Sequence, residues 1–165
     1  MKKQLQGVIG IIEKDGKYLF GLESKASPIS GRWRLLGGKL EEGESYQQAM
    51  VRECLEEAGI EVKVDGYLTR APGNFSDILI DVCYGHHISG ELKPKLDELS
   101  QVRWMNFDEA LRMDVEDISM SAFCEYLLLS KGDSAEQIAE RAKEVVRYRH
   151  SHPEFGGSCG CGASD

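Results

Sequence analysis

Residues Gly38–Ile60 read GKLEEGESYQQAMVRECLEEAGI, and the organisation of the whole chain turns on this stretch. Ser45 is a good helix N-cap, and Gln48 three positions later completes a capping box. Apolar Met50, Val51, Cys54, Leu55 and Ala58 recur at helical spacing, and Gly59 is a natural stop. The spacing therefore predicts a helix from Ser45 to about Ala58. Within it Glu53, Glu56 and Glu57 stand at i, i+3 and i+4, so they share one face. That face lies roughly opposite Met50, Cys54 and Ala58 and is expected to point away from the core.

Three carboxylates there are costly to an isolated helix. Like charges at these spacings repel by a few tenths of a kcal/mol per pair. The last turns are also the negative end of the helix dipole. Only Arg52, four residues before Glu56, offers local relief. A bound divalent cation would remove the penalty, because Mg²⁺ takes hard oxygen ligands and combines carboxylates with waters and substrate phosphates. Such an ion neutralises phosphate, polarises a P–O bond and activates water. Taken alone, three glutamates on a helix read more readily as a solvated acidic face; the rest of the segment changes that weighting.

Gly38, Glu44, Arg52, Glu53, Glu56, Glu57, Gly59 and Ile60 fall in register with the signature of the Nudix hydrolases, which the segment resembles. Eight fixed positions over 23 residues make this far more specific than a lone glycine-rich loop. Cys54 departs from the pattern at an aliphatic position, and Leu36-Gly37-Gly38 stands where many relatives read Pro-Gly-Gly. The likeness extends over about Gly7–Ala110, through Arg32-Trp33-Arg34 before the box and Asp97-Glu98 with Val102-Arg103-Trp104 after it. It implies an α+β fold, an α/β/α sandwich around a mixed β-sheet. It further implies that Glu53, Glu56 and Glu57 bind Mg²⁺, with Mn²⁺ able to substitute. Gly38 would present its carbonyl near the metal, Glu44 would join through water, and Arg52 would orient the carboxylates. The expected reaction is hydrolysis of a phosphoanhydride bond in a nucleoside diphosphate derivative by metal-activated water. A (deoxy)nucleoside triphosphate is the first choice of substrate, ahead of ADP-ribose or a nucleoside diphosphate sugar. A non-catalytic nucleotide sensor of the same fold is the alternative from another class; such proteins usually lose box acids, and none is lost here.

Outward from the helix, Leu5–Ile12 and Tyr18–Leu22 flank Asp15-Gly16 and predict a β-hairpin. Arg32–Leu36 reads as a strand ending at Gly37-Gly38. Val62–Leu68, Ile78–Tyr84 and Val102–Met105 are rich in strand formers, with His86–Leu92 continuing the second of these around a bend. Short helices are expected from Phe107 and over Ile118–Ser130. A further helix is expected from Ser134 to about Arg149, with Ile138, Ala142, Val145 and Val146 on one stripe. One domain over residues 1–150, with C-terminal helices from about 117, is followed by a Gly/Ser-rich tail at 151–165 that reads as flexible.

The net charge of −8 argues against general nucleic-acid binding, which demands surplus Lys and Arg. A small nucleotide remains acceptable if metal ions or local cations receive it. Glu13, Lys14 and Asp15 break the N-terminal apolar run, so no secretory leader is expected. No stretch approaches the roughly 20 apolar residues of a membrane span. Five cysteines, with Cys54, Cys83 and Cys124 in apolar patterns, suit a reducing cytoplasm. Nothing marks a homodimer interface, although many members of the family are dimers.

The general base is open between a box glutamate and a loop acid, for which Glu98 is the candidate. Arg32 and Lys25 could contact phosphates or simply be surface cations. Trp33 could stack on a base or pack in the core, and Phe75 could form one wall of a base pocket. His86-His87, adjacent on a strand, would point to opposite faces and not share an ion. Cys159-Gly160-Cys161 offers only two thiols, short of a tetrahedral metal site.

Overall fold

The computed structural model describes residues 4–73 and 77–132, together with 134, 136, 137, 139, 140 and 143. Six strands form one mixed sheet. They are β1 (Leu5–Lys14), β2 (Lys17–Glu23), β3 (Trp33–Lys39), β4 (Glu61–Pro72), β5 (Ile78–Ser89) and β6 (Leu99–Met105). The order across the sheet is β4-β5-β1-β3-β2-β6. The β1–β5 pair is parallel and the other neighbours are antiparallel. Helix α1 (Tyr46–Ala58) covers one face, and α2 (Phe107–Arg112) and α3 (Asp117–Ser130) belong to the core on the other. This is the α/β/α sandwich with a mixed sheet that the sequence led us to expect.

Strand alternation explains the two layers. Val8 and Ile12 of β1 pack with Met50 and Cys54 of α1, whereas Ile11 faces Phe20, Leu35 and Phe123. Around Phe123 the rings of Tyr18, Phe20 and Phe107 pack edge-on, with centroids 4.6 to 5.5 Å away. The β1–β2 hairpin closes at Asp15-Gly16, where both residues take positive φ, as the tight turn favoured between twisted strands requires.

Several boundaries differ from the sequence reading. β3 does not end at Gly37-Gly38 but continues through them, because Ile9 and Val8 of β1 pair with both. β5 runs unbroken to Ser89, held by β4 along its length. The capping box at Ser45 and Gln48 is present, and the Gly59 N–H bonds back to Leu55 O at 3.0 Å. The buried face of α1 is shifted, however. Val51 and Leu55 are exposed, while Ala49, Met50, Cys54 and Ala58 are buried together with Glu53 and Glu57.

A capping box between Ser134 and Gln137 is described. Phe75, the stripe at Ile138, Ala142, Val145 and Val146, and the tail with Cys159 and Cys161 lie outside the described residues. Among the described residues no helix is long and apolar enough to cross a membrane.

Truncating the ring at the centre of the α3 layer should be costly. Phe123→Ala is expected to lower stability by about 3–5 kcal/mol in urea unfolding; a loss below about 1 kcal/mol would contradict the packing described.

Candidate active site

Arg34 of β3 is the first side chain to fix. Strand alternation places it on the α1 face beside Leu36, between Trp33 and Leu35 on the other. Its Nη2 donates to Glu57 Oε1 of α1 at 2.7 Å, and its Nε to Glu23 Oε2 of β2 at 2.7 Å. The Gly37 N–H donates to Glu57 Oε2 at 3.1 Å. Two strands and the helix are thereby tied by one guanidinium. Glu57 is 1% exposed and Glu53 8%, so two acids of that face are turned away from solvent, against what their spacing suggested, while Glu56 remains exposed. Gly38 lets β3 run close over that face, whereas Gly37 lies against the β1 backbone at Val8 and Ile9.

One cation between two buried carboxylates leaves a negative charge in excess. Burial pushes the Glu57 carboxyl above its usual range, by more than the Arg34 charge and the Gly37 N–H draw it down. For Arg34, burial works against the charge, yet Glu57 and Glu23 outweigh it and hold the guanidinium above its usual value.

Arg52 gathers the other acids. Its Nε and Nη2 donate to the two oxygens of Glu44 at 2.9 and 3.0 Å, and its Nη1 donates to Glu53 Oε1 at 2.9 Å and Glu56 Oε2 at 3.3 Å. A further bond, from Nη2 to Lys39 O at 3.0 Å, ties this fan to the end of β3. The hydrogen bond from Arg52 holds the Glu44 carboxyl below its ordinary value. Burial raises that of Glu53 despite its bond to Arg52, and nearby Glu56 and Glu98 add to the rise.

Arg34, Arg52 and Glu57 border a cavity of about 620 Å³, within the usual size of a ligand site, whereas Glu44 lies outside its lining. Glu53, Glu56, Glu98 and Gly38 line it. The Glu98 carboxylate is bound by Lys95 Nζ at 2.7 Å. Its backbone is fixed too, since Lys95 N donates to Glu57 O at 3.0 Å and Ser24 N to Glu98 O at 3.0 Å.

The donor set suits a hard divalent cation. It consists of carboxylate oxygens and backbone carbonyl, without a thiol or imidazole. Gly38 packs so closely on Glu53 that a Cβ there would collide with the carboxylate. Among the described residues Glu53 Oε2 and Glu56 Oε1 accept no hydrogen bond. No three acidic, His or Cys side chains among those residues form a closed ligand cluster, and Glu53 and Glu57 are instead paired with Arg52 and Arg34.

The remaining candidates separate. Lys25 lines the cavity. Arg32 is engaged elsewhere: its Nε donates to Asp114 Oδ1 at 3.1 Å, and its Nη2 reaches Val115 O at 3.0 Å and Asp117 at 3.5 Å. Trp33 is buried in the α3 layer with the Arg103 guanidinium over its ring, which fills its stacking face. His86 pairs with Asp65 at 2.6 Å and His87 with Gly90 O at 2.8 Å, so they share no ligand. Sequence reasoning missed the role of Arg34 and the buried polar pair Glu116 and Ser119, which also line the cavity.

A family model of the NUDIX domain matches residues 2–124. The chain belongs to the NUDIX family. This NUDIX chain is 34% identical over 110 residues to a CTP pyrophosphohydrolase of Escherichia coli K12, a match covering 67% of this chain and 82% of the relative. It is 35% identical over 82 residues to an NAD-capped RNA hydrolase of Actinobacillus succinogenes; that match takes in 50% of this chain but only 31% of the relative. In fold it is similar to a NUDIX hydrolase from Nitrosomonas europaea, with a TM-score of 0.72 at 20% identity over 81% of this chain and 76% of that one. The NUDIX protein described here is thus an enzyme acting on acid anhydrides.

Removing Arg34 would leave Glu57 and Glu23 buried without their cation. Arg34→Met is expected to lose about 3–5 kcal/mol of stability by urea unfolding. A loss under about 1 kcal/mol would show that the guanidinium does not hold β2, β3 and α1 together.

Proposed function

We propose that the enzyme hydrolyses a nucleoside triphosphate, or its deoxy form, to the monophosphate and pyrophosphate with the help of Mg²⁺. The observation that carries this reading is the convergence of Glu53, Glu56, Glu57 and Glu98 on a single cavity large enough for a nucleotide. Support for a triphosphate over a capped RNA comes from the comparisons. The CTP-cleaving relative is matched over most of its length, whereas the chain spans about a third of the RNA-directed one. The acidic charge balance points the same way.

Glu53, Glu56 and Glu57 would hold the cation, with the Gly38 carbonyl, and Glu44 would contribute through water. Mn²⁺ could take the place of Mg²⁺. When bound, the ion neutralises the phosphates, polarises the reacting P–O bond and acidifies water. Arg52 would keep Glu44, Glu53 and Glu56 in one cluster, so that they need not reorganise when substrate arrives. Arg34 would do the same for Glu57 from below. Lys25, on the cavity wall, would meet substrate phosphate.

Water adds to the α-phosphorus, forming the new P–O bond. The bridging P–O bond breaks, and its electron pair leaves on pyrophosphate. Glu98 takes the proton from the attacking water, and the Lys95 ammonium holds its carboxylate in place. Three free thiols among the described residues, at Cys54, Cys83 and Cys124, fit a reducing cytoplasm as the site of action.

The test is a panel of nucleoside triphosphates, ADP-ribose and nucleoside diphosphate sugars with Mg²⁺, products separated to locate the broken bond. Triphosphates should be cleaved to monophosphate and pyrophosphate. Glu56→Gln is expected to lower kcat by at least about 100-fold, the upper end of what changes to supporting residues around a metal cost. Glu98→Gln should cost about 10²-fold or more in kcat, the ordinary worth of a general base. Full activity of Glu56→Gln would remove the metal assignment; full activity of Glu98→Gln would return the base to a box glutamate.

A further inference from the structure

A second cavity, of about 440 Å³, opens at the other end of β1 and β5 from the first, and its size suits a small ligand. Ile9 lines the first cavity and Glu13 the second, roughly 13 Å apart along an extended strand. Asp15, Asp65, Tyr84, His86 and Tyr126 complete the part that matters here. Tyr84 and Tyr126 belong to the α3 side of the sheet, where their rings lie tilted with centroids 5.5 Å apart.

The chain seats one alkylammonium of its own in this setting. Lys131, just past α3, donates from Nζ to Glu13 Oε2 at 2.7 Å and stands 5.9 Å from the centroid of the Tyr126 ring. The Tyr126 hydroxyl donates to the same oxygen at 3.3 Å. Burial, reinforced by the Glu13 charge, pushes that hydroxyl up to about 12, which keeps it a donor. A carboxylate beside an aromatic face is a good receptor for an ammonium group.

The rest of the cavity offers the same two elements again. Asp15 has no polar partner among the described residues, and the Tyr84 ring supplies the second face. Asp65 is engaged through Oδ2, 2.6 Å from His86 Nδ1, while its Oδ1 bonds to nothing among those residues. Lys14 also borders the cavity, but its Nζ reaches over Trp104, which packs with the α1-side cluster. With His86 neutral, three carboxylates against the Lys131 ammonium leave two negative charges to be met.

We infer that this cavity binds a short aliphatic diamine, its ammonium groups received by Asp15 and Asp65 and its methylenes by the tyrosine rings. The inference stands independently of the proposed hydrolysis. A divalent metal ion needs several oxygens converging on one point, and no such cluster exists among the described residues. Two ammonium groups ask only for two separate acceptors. A monoamine leaves one carboxylate unmet, and an anion is repelled. If Lys131 served only to tie down the end of α3, amines would be indifferent to Asp15 and Tyr84.

The experiment is a titration of the full chain with 1,4-diaminobutane at low salt and with excess Mg²⁺, followed by backbone-amide NMR. Butylamine is the single-charge counterpart. Saturable shifts are expected at Asp15, Asp65, Tyr84 and His86. Butylamine should bind about threefold more weakly, within what an exposed ion pair supplies. Asp15→Asn, which tolerates the left-handed turn, and Tyr84→Leu should each weaken the diamine by about threefold. Lys131→Met removes the competing ammonium and should tighten binding by a similar factor. Glu56→Gln, in the other cavity, should leave it unchanged. Should Tyr84→Leu lose its dispersed spectrum, Asp15→Asn and the butylamine comparison decide. Shifts that never saturate, or that are largest within Gly38–Glu57, would overturn the inference. So would a diamine affinity that Asp15→Asn leaves intact.

Discussion

A guanidinium enclosed between two carboxylates sets the geometry of this protein. Arg34 reaches Glu23 on β2 and Glu57 on α1, so the strand that carries the glycines and the helix that carries the acids cannot slide relative to each other. Buried charges are tolerable only when paired and well hydrogen-bonded, and breaking such a pair is more costly than never having built it. The arrangement therefore adds little stability compared with an apolar filling of the same space. What it supplies is position, along with a residual negative charge near the cavity.

From that constraint the other features of the site follow in order. With β3 fixed over α1, Gly38 sits against the Glu53 carboxylate, where no side chain could fit. Arg52 gathers Glu44, Glu53 and Glu56 at the rim and binds the carbonyl of Lys39. The loop carrying Glu98 is anchored to the end of the same helix through Lys95 N and Glu57 O. On the opposite face β3 holds the segment that presents Glu116. One strand thus positions both polar ends of the cavity, the carboxylates of α1 and the buried pair Glu116 and Ser119 at the start of α3.

Much of this was legible in the sequence, and the reasons differ by element. The α1 caps, the hairpin turn at Asp15-Gly16 and the strands around Val62 and Ile78 are local signals, and the structure repeats them. Spacing singled out Glu53, Glu56 and Glu57 on one helix face, and the resemblance to the Nudix signature added Glu44 and the reading as metal ligands. The burial of Glu53 and Glu57 was not foreseen, because amphipathicity treats a helix as having one wet side, and here β3 and Arg34 cover part of the acidic side as well. Period-two alternation through Trp33, Arg34 and Leu35 could have placed Arg34 on the α1 face, but it could not name Glu57 as its partner. The partners of Arg32 were out of reach for a related reason: Asp114 and Val115 lie some eighty residues away. Glu116 escaped notice because glutamate is an uncommon helix cap.

In the proposed reaction the acids of α1 and the carbonyl of Gly38 hold a divalent cation against substrate phosphate. Titration of Mn²⁺ into the enzyme, followed by the enhancement of water-proton relaxation, tests it most directly. Saturable binding is expected, displaced by Mg²⁺ and lost when Glu53 becomes glutamine in a protein that still folds. Saturable binding of equal strength in the wild type and in Glu53→Gln, or none in either with a nucleoside triphosphate present, would contradict it.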